Sequence, residues 1–193
     1  MGERNRLRAV SVALAAGCGR RGDRVVDNLT AKSPQLLAIA FIQDARAYVE
    51  SARTLDRVHG DAPRFYQPTY FLLGQAMELV LKAYLSASGV SKRRLRNCVG
   101  HDIALAFRYA RRFFSFAPTE RFGELALWLA PYHRDHSFRY RKSGTYRTLP
   151  VASEAAEIIL NTVDRVEPFV GYQFLSLREK SRKPASKATD AAP

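Results

Sequence analysis

Apolar residues along this chain recur at the three- and four-residue intervals of a helix in one segment after another, and no stretch of any length alternates with the period of a strand. Residues 71–85 carry the pattern most fully. Leu72, Leu73, Ala76, Met77, Leu79, Val80, Leu81, Ala83, Tyr84 and Leu85 form an apolar arc wide enough to meet neighbours on several sides, which places this helix inside a bundle. Its polar residues are Gln75, Glu78 and Lys82, and a Glu four residues before a Lys is the favourable order for a side-chain pair.

The flanking segments supply the neighbours. Ser33-Pro34 is a cap followed by a first-turn proline, and opens a helix ending near His59-Gly60. Asp61-Ala62-Pro63 is turn chemistry, after which Pro68-Thr69 begins the central helix, which stops at Gly89. The first two helices therefore pair as an antiparallel hairpin. A basic connection over residues 91–97 precedes Gly100-His101-Asp102, with Asp102 as the cap of helix three. Pro118-Thr119 starts helix four, whose Phe122, Leu125, Ala126, Trp128 and Leu129 are bulky core residues, and Pro131 weakens the pattern. Residues 132–150 have too few aliphatic side chains to be core and read as a basic irregular segment laid on the bundle. Helix five runs from about Val151 to Phe169. The expectation is an all-α, single-domain, up-and-down bundle of about five helices over residues 31–172, followed by a basic polar tail over 173–193.

Composition agrees with a folded domain and adds a charge. The 193 residues are 47% hydrophobic and 25% charged, the balance of a globular chain. Lys and Arg number 31 against 18 acidic residues, a formal charge of +13 that favours a polyanionic partner such as RNA or a nucleotide. Two cysteines, Cys18 and Cys98, lack the spacing of a disulfide framework or a structural zinc site, so no metal, no cofactor and a reducing compartment are expected. Arg4, Arg6 and Arg8 precede an apolar run ending in Gly17-Cys18, a pattern similar to an export signal. Leu14 stands four places before Cys18 where a lipoprotein signal has three, which favours reading residues 1–30 as an extension and the protein as cytoplasmic. An exported lipoprotein acylated at Cys18 is the alternative. No other segment reaches the roughly twenty apolar residues of a membrane span.

Two sets of residues carry candidate chemistry. Glu78 on the central helix needs a charged or hydrogen-bonding partner if buried, and His101 and Arg139 are the candidates to anchor it. His133, Arg134, His136, Arg139, Arg141, Lys142 and Arg147, with Tyr132, Tyr140 and Tyr146 between them, combine cations for phosphates with rings for bases. Arg134, His136, Arg139, Arg141, Lys142 and Arg147 are the anion-binding candidates.

Gly74-Gln-Ala-Met-Glu-Leu-Val-Leu-Lys-Ala-Tyr-Leu85, followed by Gly100-His-Asp-Ile-Ala-Leu105, resembles the HEPN superfamily over roughly residues 33–169. The resemblance implies a bundle of four or five helices that dimerises. It also implies a setting in defence or toxin–antitoxin systems, with a cognate antitoxin or nucleotidyltransferase as partner, and in many members metal-independent endoribonuclease activity. Those members carry Arg, four to six residues, then His, on a late helix. Arg96 to His101 has that spacing, as does Arg53 to His59, although Arg96 and His101 precede helix three, and neither His133 nor His136 has an Arg in that window. A His moves protons at the ribose hydroxyl and the leaving oxygen, and an Arg steadies the phosphate. Arg96, His101 and His136 are accordingly the catalytic candidates for the ribonuclease alternative to a binding module.

Overall fold

Ser33 begins the helical body in the way its sequence implies: its hydroxyl accepts from the Leu36 amide at 3.2 Å, with Pro34 in the first turn. The computed structural model describes residues 33–60, 62–140 and 149–182, with side chains through 179. These residues form six helices and, among them, no strand: α1 (Pro34–His59), α2 (Tyr66–Ala87), α3 (Lys92–Arg94), α4 (Ile103–Phe114), α5 (Glu120–Arg134) and α6 (Ala152–Arg182). Residues 1–32, Arg141, Lys142, Tyr146, Arg147 and the last part of the expected tail lie outside the described residues.

The central position expected for α2 follows from its burial. Leu73, Ala76, Met77, Val80, Leu81, Ala83 and Leu85 are fully buried, and α2 touches α1, α4, α5 and α6. Ala38, Ile42, Ala45, Val49 and Ala52 form one stripe of α1 at three- and four-residue spacing, and its small side chains let α1 and α2 approach closely. On α6, Ala155, Ala156, Ile159, Val163, Val166 and Val170 make the matching stripe. Arg46 of α1 crosses to Asp164 at 2.6 Å and Glu167 at 2.7 Å on α6, outside the core.

An aromatic group closes the other side. Phe107 of α4 meets Phe116 and Phe122, and Tyr84 of α2 packs on Phe116 while donating its hydroxyl to the Phe114 carbonyl at 2.6 Å. A Cβ at Gly123 would stand 2.9 Å from the tip of Phe107, so the glycine lets that ring lie on the α5 backbone.

Four features differ from the reading of the sequence. The helix count is six because the basic connection coils into α3 and a π-helical turn, Leu95–Val99, which drives Leu95 and Val99 into the core. Cys98, half-buried in this turn, is not a free thiol, whereas the sparse cysteines suggest reduced ones. Pro131 does not end α5, which continues to Arg134. Likewise α6 passes through Pro168 and on to Arg182, so the residues after 172 begin as helix. Both prolines are on exposed faces, where water replaces the hydrogen bond that each ring removes while the buried stripe holds the helix on course. No described helix is long and apolar enough to cross a membrane.

Leu81 is fully buried at the centre of the bundle. Leu81→Ala is expected to lower stability by about 2–5 kcal/mol through the missing side-chain atoms and the cavity left behind. Urea unfolding of the two proteins checks this, with the midpoint falling while the slope is kept.

Candidate functional site

Glu78 lies on the buried side of α2, with Gly74 one turn before it and Lys82 one turn after, and only 3% of it is exposed. A carboxylate with so little access to water requires several donors at once. Lys82 Nζ reaches Oε1 at 2.5 Å. His133 Nε2 lies 2.6 Å from Oε2, and His101 Nδ1 spans both oxygens at 3.1 and 3.2 Å. An ionised carboxylate only accepts, so each imidazole nitrogen facing it carries a hydrogen and donates.

Three chain segments deliver these donors. His133 comes from the last turn of α5, continuing the buried stripe of Phe122, Leu125, Ala126, Leu129 and Ala130. Its ring presses on α2 where Gly74 has no side chain: a Cβ there would stand 2.7 Å from His133 Nδ1. His101 follows Gly100, whose φ of +58° lies in the left-handed region that favours glycine and turns the chain from the π-helical turn toward α4. Asp102 then caps α4, accepting from the Leu105 amide at 2.9 Å.

Beyond α5 the chain folds back over the same end of the bundle. The Ser137 amide donates to the Tyr132 carbonyl at 2.9 Å, and Phe138 is buried between Tyr70 and Tyr132. These contacts hold His136 with a φ of +55° and bring its ring edge-on to His101, with centroids 6.4 Å apart. Arg134 extends to Asp102 at 3.6 Å and to Asp135 at 3.5 Å. The Tyr70 hydroxyl donates to the Pro150 carbonyl, securing the chain just before α6.

The anchor expected for Glu78 is thus met in one part and corrected in another. His101 is a partner. Arg139 is not: its guanidinium lies over the Phe71 ring, 5.2 Å from the centroid, and the partners described for Glu78 are Lys82, His101 and His133. His133, read from the sequence as part of the basic irregular segment, is instead a buried helical residue with 5% exposure. The signals that locate it are the apolar spacing running through Pro131 and the glycine one turn before Glu78. Arg96 is exposed on the π-helical turn, and among the described residues no contact joins it to His101. His136, Arg134 and Arg139 are exposed near His101 and the end of α5. Arg141, Lys142 and Arg147 lie outside the described residues.

The arrangement has two chemical capacities. His101 is orientated by a carboxylate through Nδ1 while 61% of its side chain is exposed, leaving Nε2 to act as an acceptor toward solvent. Glu78, His101 and His133 also offer three donor atoms that all lie within 4.8 Å of one another. No local spacing reveals this set, because the residues come from three separate segments. Comparison of the chain with protein-family models, curated proteins and solved structures gives no match.

Burial pushes the Glu78 carboxyl upward, but the His133 hydrogen bond and the nearby Lys82 charge outweigh it, and the pKa falls from 4.5 to about 2. Because the folded value is the lower one, the stabilisation is fully present above pH 4.5 and is lost as the pH falls toward 2. Glu78→Gln should therefore cost on the order of 3 kcal/mol at neutral pH and flatten the stability profile across that acid range. Urea unfolding of both proteins between pH 5 and pH 2.5, a window that follows from these values, measures it. Gly74→Ala should displace His133 and lower neutral-pH stability while leaving the Lys82 contact in place.

Proposed function

We propose that this chain is a HEPN-like helical module that binds single-stranded RNA or a related phosphate-bearing ligand at the end of the bundle formed around His101 and His136. The observation that carries this reading is the edge-on packing of those two exposed rings at 6.4 Å, beside Arg134 and Arg139. The exposed ring of Tyr140 is close by in the chain and available for stacking. Phosphates are recognised by cations and bases by exposed rings, and this surface has both. The formal charge of +13 adds long-range attraction. The resemblance to HEPN proteins adds a homodimer and a defence or toxin–antitoxin setting to the proposal.

A second reading has its own observation. His101 is held by a buried carboxylate and faces another exposed histidine, an arrangement suited to a base and an acid acting on a ribose 2′-hydroxyl and its phosphodiester. The ribonuclease reading requires RNA cleavage that His101→Ala or His136→Ala abolishes in a protein that remains folded; binding without cleavage leaves the module reading alone.

Arg134→Ala combined with Arg139→Ala should weaken binding to a single-stranded oligoribonucleotide roughly tenfold. The dependence of log affinity on log salt should become shallower by about 0.7 for each phosphate that the variant no longer neutralises. Fluorescence anisotropy over a salt series measures both, and an unchanged affinity and slope would remove this surface from the binding site.

A further inference from the structure

We propose that Glu78, His101 and His133 form a binding site for a divalent transition-metal ion of the zinc class. Two imidazoles and one carboxylate are a donor set suited to zinc and its neighbours rather than to magnesium or calcium, which favour all-oxygen shells. Donors at about 2.1 Å around a tetrahedral ion stand roughly 3.4 Å apart, and the atoms here already lie close to that spacing. His101 Nδ1 is 3.2 Å from Glu78 Oε2, His133 Nε2 is 2.6 Å from the same oxygen, and all three donors fall within 4.8 Å. An ion takes the place of the two hydrogens that face the carboxylate, each imidazole then carrying its hydrogen on the other ring nitrogen, and the His133 contact opens from 2.6 Å by about 0.8 Å.

The surroundings define what kind of site this is. Oε2 is the oxygen that meets His133, while Oε1 is held by Lys82 at 2.5 Å, so metal and ammonium divide the carboxylate between them. Lys82 fixes the orientation of Glu78 and also opposes a cation, so its charge sets the affinity below what the donors alone would give. His133 is buried, whereas His101 has 61% of its side chain exposed, which leaves a fourth position open to water or to an anionic ligand. His136 faces His101 from outside and is not one of the three donors.

Metal binding is measured without RNA, so it stands or falls separately from the nucleic-acid reading. The test uses the full, untagged chain, treated with chelator, dialysed, and titrated with zinc chloride in a calorimeter. One equivalent should bind, with magnesium chloride giving no saturable signal, and cobalt(II) should give the visible absorption of a tetrahedral site. His101→Ala, at an exposed position, keeps the fold and should weaken zinc binding at least tenfold. His136→Ala should leave it unchanged, and Lys82→Met should tighten it several-fold. Absence of saturable zinc binding overturns the proposal. So does binding that persists in His101→Ala, or binding that depends on His136 in place of His133 in circular-dichroism-verified folded variants.

Discussion

Burying one carboxylate is the constraint on which this bundle depends. An ionised side chain taken out of water costs several kcal/mol unless its oxygens are met from the right directions, and Glu78 is met by Lys82, His101 and His133. Lys82 belongs to the same helix and is in place as soon as α2 forms. The two histidines arrive only when α4 and α5 have docked in register. A slide of α5 by one turn along α2 would move His133 away from Oε2 and strand the charge. The network therefore selects one packing among the many that the surrounding Ala, Leu and Val side chains would accept, since apolar contacts discriminate weakly between registers.

Glycines serve this constraint at two points. Gly74 opens the space into which the His133 ring fits, and Gly100 adopts the positive φ that turns the chain so that His101 faces α2. Two of the donors to the buried carboxylate thus rely on a position without a side chain, one for room and one for backbone freedom. The apolar fold-back after α5 has a related effect: Phe138, held between Tyr70 and Tyr132, fixes the chain that carries His136 and Arg139. Chemistry-bearing residues are consequently supported by packing on both sides of His101.

What is legible in the sequence follows from period and from local caps. The all-helical class, the central place of residues 71–85, and the Ser33 and Asp102 caps each need only a few neighbouring residues to identify, and Glu78 stands out as a lone acid on an apolar helix. The features that escape such a reading depend on partners distant in the chain. Pro131 and Pro168 are local helix breakers, yet tertiary burial of the stripes on either side carries both helices through them. Stopping the helix at Pro131 also removes His133 from the core, and with it the closest histidine contact of Glu78. Charge alone points Arg139 at the carboxylate. It lies over Phe71 instead, where the guanidinium keeps contact with water and with the ring face.

Charge shows the same dependence on arrangement. A surplus of thirteen positive charges says little by itself about where an anion binds, because several cations are already engaged within the fold. Arg46 bridges α1 to α6, Arg121 meets Glu154, and Arg165 donates to the Ala117 carbonyl. Arg134 is partly balanced by Asp102 and Asp135. Around Glu78 the balance is set by distance and exposure: one carboxylate faces a buried imidazole, a largely exposed imidazole and an ammonium. The same negative charge that fixes α5 against α2 therefore also orientates a solvent-facing His101. Interior stability and surface chemistry are joined through that residue pair, so a change at His133 acts on the fold first, whereas a change at His101 acts on the surface with much less effect on the core.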